Sequence, residues 1–165
     1  MPPNQLLGLD VGEVFVLRNV ANMVFPSDIS TLAVIQYSVE VLKVEDIIIA
    51  GHYGCGGVKA ALTKNNFGTL EAWLSKLRKI RHNHASAFEG LTNIDEKVKT
   101  LVEINVYEQM LNLASTPFVQ NAWKNGQTLR INGVVFDLAT GLLKKIHKDI
   151  HSLEQVPEEL ALFEA

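Results

Sequence analysis

Asp46-Ile47-Ile48-Ile49-Ala50-Gly51-His52-Tyr53-Gly54-Cys55-Gly56-Gly57-Val58 is the stretch that decides how the chain is read. A short apolar run rich in β-branched residues, stopped by a glycine, predicts a buried strand of a parallel sheet. That strand is expected over 44–50, with a helical segment over 58–64 after the glycine-rich turn. Ligands of open α/β sheets bind beyond the carboxyl ends of strands, and His52 and Cys55 fall there. An imidazole and a thiolate three residues apart make half of a zinc site. Local chemistry leaves two other readings open. Cys55 can be a small apolar filler beside a hydrogen-bonded surface histidine, or a nucleophile activated by His52 or by the helix that follows. Glycines at 51, 54, 56 and 57 weigh against the filler, because such a turn bends sharply and lets a ligand approach the backbone.

Outward from this stretch, 165 residues fit one ordinary domain, 1–165, with enough chain for a sizeable core. A hydrophobic fraction of 47% and a mean hydropathy of +0.12 point to burial between subunits. Fifteen basic against eighteen acidic residues give a formal charge of −3, which is no footprint for nucleic acid. The single cysteine excludes an internal disulfide and fits a reducing compartment. No apolar run reaches the roughly 18–20 residues of a membrane span, and the start, Met1-Pro2-Pro3-Asn4, is unlike a secretory signal. Cytoplasm is the expected location.

Residues 13–18 read as a strand. Ser27 or Asp28 can cap a helix running to about Lys43, on which Leu32, Ile35, Val39 and Leu42 recur at helical spacing. Strand, helix and the 44–50 strand would make a βαβ unit. Thr69 is placed to cap a helix carrying Leu70, Trp73, Leu74, Leu77 and Ile80. His82 and His84 then read as a solvated helix end, since residues two apart do not share a helical face. The longest helical pattern runs over 95–114, and Thr116-Pro117 starts another helix that Gly126 closes. Residues 128–137 predict a strand that Asn132-Gly133 either kinks or turns into a hairpin, with Leu142-Leu143 resuming it. His147 and His151, four apart, read as a solvated face among lysines. The fold class that follows is α/β, a parallel sheet core with flanking helices.

Several of these landmarks belong together. Gly51-His52-Tyr53-Gly54-Cys55-Gly56-Gly57 resembles the second zinc motif of the β-class carbonic anhydrases. Phe15-Val16-Leu17-Arg18-Asn19-Val20-Ala21-Asn22 resembles that family's arginine-asparagine segment. Residues 106–109, Ala122-Trp123, 132–137 and Thr140-Gly141 follow in the family's order and spacing. The resemblance implies zinc as cofactor, His52 and Cys55 as two of three protein ligands, and reversible hydration of carbon dioxide to bicarbonate. It places the third ligand, with an Asp/Arg dyad, in a Cys-x-Asp-x-Arg motif upstream of Met1, on a first strand that, like the family's N-terminal helices, this sequence does not include. Arg18 and Gly56 are the implied anion-binding residues. Phe136 stands where some members carry a tyrosine that helps the arginine matching Arg18 hold a regulatory bicarbonate. The expectation is a carbonic-anhydrase-like chain of weak or absent activity, assembled as a homodimer or larger. The alternative is a zinc-poor pseudoenzyme acting through oligomerisation or through pairing with a full-length relative. A truncated product without a role, or an anion-binding module built on the 54–57 turn, completes the range.

Overall fold

The computed structural model describes residues 2–163. Strand β1 (Asp46–His52) lies parallel to β2 (Arg130–Asp137), in register from Asp46 against Arg130 to His52 against Phe136. Strand β3 (Leu142–Lys145) pairs antiparallel with β2, which makes a three-stranded sheet of order β1-β2-β3. Leu142-Leu143 therefore do not prolong the preceding strand. The chain reverses over 138–141, where Gly141 (φ 72°) donates its N–H to the Asp137 carbonyl at 2.8 Å.

Helices α3 (Gly56–Ala61), α4 (Leu70–Asn83), α5 (Ile94–Ala114) and α6 (Pro117–Lys124) fill the crossover from β1 to β2. The short α1 (Pro3–Leu7) and α2 (Ile29–Glu40) precede the sheet. Local chemistry explains several ends. Asp28 accepts from the Thr31 amide at 3.2 Å and starts α2, whereas Asn93 accepts from Asp95 and starts α5. Asp95 and Glu96 complement the α5 dipole. Thr69 and Thr116 sit at helix starts without a capping bond, and the Thr116 hydroxyl instead donates to the Leu113 carbonyl.

α5 lies across one face of the sheet and supplies the middle of the core with Leu101, Val102, Val106, Met110 and Leu113, each 0–2% exposed. Two glycines let it come close. A Cβ on Gly133 would stand 2.3 Å from Met110 Sδ, and one on Gly51 would stand 2.8 Å from Val106 Cγ2. Asn132-Gly133 is thus neither a kink nor a hairpin. The strand runs straight through both, opposite Ile48 and Ile49, and the glycine answers the helix above it.

Two expectations change here. β1 is buried on one face rather than two: Ile49 and Gly51 are covered by α5, while Ile48 (39% exposed), Ala50 and His52 face outward. The helices of the crossover lie on the other side, and α2 packs on α6. Residues 13–18 are not a strand. Phe15, Val16 and Leu17 are exposed, and no described residue offers them a ladder. Strand propensity expresses fit to a pleated surface beside a neighbour, and among the described residues, 13–18 have no such neighbour. The parallel crossover consequently joins β1 to β2, not 13–18 to β1.

Candidate metal centre

The ladder between β1 and β2 continues one residue beyond His52, because the Tyr53 amide donates to the Phe136 carbonyl at 3.0 Å. Gly54 (φ 70°) then turns the chain, and Cys55 occupies the N-cap position of α3. His52 lies on the open face of the sheet and Cys55 is 6% exposed. His52 Nδ1 is 3.0 Å from the Tyr53 carbonyl. With its proton on Nδ1, the ring donates to that carbonyl and keeps the Nε2 lone pair, the arrangement of metal-ligating histidines. Tyr53 is anchored in turn: its hydroxyl donates to Glu103 on α5 at 2.5 Å. Burial, then the Glu103 carboxylate, push the Tyr53 phenol up to about 12.

A second turn presses on this one from the other side. Ala21 (φ 61°) and Asn22 (φ 46°) are consecutive left-handed residues, a conformation costing roughly 1–2 kcal/mol for alanine. A Cβ on Gly57 would stand 2.7 Å from Val20 Cγ1 and 3.8 Å from the Ala21 methyl; a Cβ on Gly51 would stand 3.6 Å from Asn22 Oδ1. The turn is fastened by buried amides of α5. Asn105 Nδ2 donates to the Ala21 carbonyl at 2.9 Å, Gln109 Nε2 donates to Asn105 Oδ1, and Gln109 Oε1 accepts from the Val24 amide at 2.7 Å. Asn105 and Gln109 are 1% and 0% exposed. Trp73 Nε1 adds a bond to the Val20 carbonyl at 2.8 Å. Sequence reasoning missed this clamp, although two amides inside an otherwise apolar stripe were the available sign.

The other candidate residues differ in burial and in partners. Arg18 is exposed, and Gly56 opens α3 with empty space where a side chain would be. His84 is no solvated helix end, since its Nε2 is 2.7 Å from Glu108 Oε1 on α5. His147 is no solvated face either: 147–151 is not helical, Ile150 bridges Ile131, and the His147 ring lies 4.6 Å from that of Tyr107. His82 and His151 are exposed. Imidazole and thiolate suit zinc, so the donor chemistry of His52 and Cys55 fits it. Among the described residues, however, no group of three or more His, Cys, Asp or Glu could hold a metal ion. The donor set stands at two where a catalytic zinc takes three.

Fold, strand-end position and donor chemistry converge on one class. The carbonic anhydrase profile matches residues 1–143, and the chain belongs to the β-carbonic anhydrases, a zinc-dependent family. A carbonic anhydrase of Emericella nidulans is 41% identical over 149 residues, 90% of this chain and 65% of that protein. The solved β-carbonic anhydrase of Coccomyxa, in complex with acetazolamide, superposes with a TM-score of 0.90 at 36% identity, over 97% of this chain and 74% of that one. A tetrameric β-carbonic anhydrase from Sordaria macrospora gives 0.84 at 36% identity, over 90% and 76%. The chain spans between about half and two thirds of the length of the curated relatives it matches.

Proposed function

We propose that this chain carries the reversible hydration of carbon dioxide to bicarbonate on zinc held by His52 and Cys55, and that the 165 residues alone run it weakly. The observation that supports the reading is the placement of an exposed imidazole and a buried cysteine sulfur at the carboxyl end of β1. His52 and Cys55 would hold zinc there, which would supply the Lewis acidity that lowers the pKa of a bound water from ~15.7 to about 7. The chain's own part is to aim Nε2 of His52 through the Tyr53 carbonyl and to hold Cys55 at the start of α3. Two protein donors leave metal retention low, which sets the weak activity. Stopped-flow hydration of carbon dioxide with and without added zinc tests the proposal, with Cys55→Ser as control. A small zinc-dependent rate that vanishes in the variant is expected; a rate indifferent to Cys55 would overturn it.

One observation favours the second reading, a non-catalytic homologue acting by association. Glu45 O accepts from Arg130 and Tyr53 N donates to Phe136, so odd-numbered residues of β1 face β2. Asp46, Ile48, Ala50 and His52 therefore turn their N–H and C=O groups to the outer edge. That open edge, together with exposed Phe15, Val16 and Leu17, is surface suited to cover by another chain. The tetrameric state of the Sordaria macrospora relative agrees with assembly. Light scattering after size exclusion decides the point, and a clean monomer contradicts it.

A further inference from the structure

We propose that the strained Ala21–Asn22 turn is a positioning device for the His52–Cys55 turn, and that Asn105 is the residue that locks it. Neither residue offers a metal donor of the usual kind, so the role is one of geometry. Three independent features point to it.

The first is the strain itself. Alanine and asparagine both adopt positive φ, at 61° and 46°, where glycine would sit without effort. Such conformations persist where the surroundings over-determine them, and they gather at functional sites. The second is the clamp. Asn105 Nδ2 reaches the Ala21 carbonyl, Gln109 reaches both Asn105 and Val24, and Asn112 Nδ2 donates to the Val24 carbonyl at 2.8 Å. A ladder of three amides, each about one helical turn from the next, is spent on the backbone of one short segment. The third is what that segment touches. Gly51 and Gly57 bracket His52 and Cys55: Val20 Cγ1 and the Ala21 methyl take the space over Gly57, and Asn22 Oδ1 shares the space over Gly51 with Val106 and Val102 of α5. The same Gly57 position lies 4.0 Å from Cys55 Sγ. The clamp on α5 thus bears on the thiol in three steps, Asn105 to Ala21, Ala21 to the Gly57 position, and that position to Cys55 Sγ.

The consequence is preorganisation. A loop that carries metal donors gains affinity when its geometry is held before the metal arrives. Because Cys55 is the sole cysteine of the chain, its thiol reports on this one turn. The metal arm of the proposal rests on the zinc reading given above; the thiol arm does not.

Ala21→Gly tests it without threatening the fold, since glycine accepts the same φ. In the zinc-free protein, labelling of Cys55 by dithionitrobenzoate is expected to run about tenfold faster, because the Ala21 methyl that lies over the Gly57 position beside the thiol is gone. Zinc affinity, measured by competition with a chromogenic chelator, is expected to fall about tenfold. Thermal stability stays within ~2 °C, because relief of strain offsets the added freedom of the unfolded chain. Asn105→Asp removes the donor to Ala21 and is expected to move both readouts the same way, with a lower Tm. Unchanged labelling and unchanged zinc affinity in Ala21→Gly would overturn the proposal, leaving the turn a feature of packing alone. If the wild-type chain fails to bind zinc, the metal assignment of His52 and Cys55 falls, and the labelling ratio alone decides the role of the turn.

Discussion

Gly133→Ala puts the close approach of α5 to the sheet under direct test. The added methyl would lie 2.3 Å from Met110 Sδ and 3.2 Å from Val106 Cγ1, and Met110 is 0% exposed with Val106 at 0%. Ordinary contact needs Met110 to retreat by more than an ångström into a packed interior. Inserting a methyl group into a filled core costs typically ~1–3 kcal/mol, and alanine recovers about 0.4–1 kcal/mol through the unfolded chain. The net loss is about 1–2 kcal/mol, which for a chain of this length lowers Tm by roughly 3–6 °C. Met110→Ala opens the space the methyl requires, at a cost of ~2–5 kcal/mol by itself. The double variant is therefore expected to be less destabilised than the sum of the two, by 1 kcal/mol or more in a urea denaturation cycle. A neutral or stabilising Gly133→Ala, or strict additivity with Met110→Ala, would refute the claim that this glycine exists for the helix.

Other tests reach the rest of the frame. Burial and Glu103 raise the Tyr53 phenol to about 12. Its contribution to stability is complete below the unfolded value near 10 and disappears as pH rises through about 12. In an ultraviolet titration one of the three tyrosines should ionise late, and Tyr53→Phe should remove that late step. Hydrogen bonding from Arg130, helped by Asn132, holds the Asp46 carboxyl below its ordinary value. Its contribution is present above the ordinary carboxylate range and is lost as pH falls through the lowered value. Arg130→Met should flatten that acid-side slope in denaturation curves, and an unaltered slope would count against the pair. Gln109→Leu strips the Val24 amide of its buried acceptor and should cost about 1–3 kcal/mol in chemical denaturation; a loss below a few tenths would show the clamp to be idle.

Much of this was legible in the residues, and the failures have a common cause. The run Ile47-Ile48-Ile49 announced a strand, but an unbroken apolar run carries no alternation, so it could not say that one face lies open. α5 was plain from its periodicity and α6 from Thr116-Pro117 and Gly126. Residues 13–18 have strand chemistry, yet a strand is a relation between two segments, and propensity does not report whether the second is present. Asn132-Gly133 carries a hairpin signal locally, and its real reason, Met110, lies more than twenty residues away. His84 was read from its spacing to His82 at a helix end and His147 from its lysine neighbours, whereas their partners Glu108 and Tyr107 come from α5. His52 and Cys55 were visible because their chemistry sits in one short motif. The Ala21–Asn22 turn was not, because nothing in an alanine foretells a positive φ.

The most direct measurement is the zinc content of the 165-residue chain after metal-replete purification and dialysis, read by elemental analysis beside His52→Ala and Cys55→Ser. The account predicts less than about half a zinc per chain in the wild type and near none in either variant. A full, tightly held zinc per chain, or zinc retained without His52 or Cys55, would contradict it.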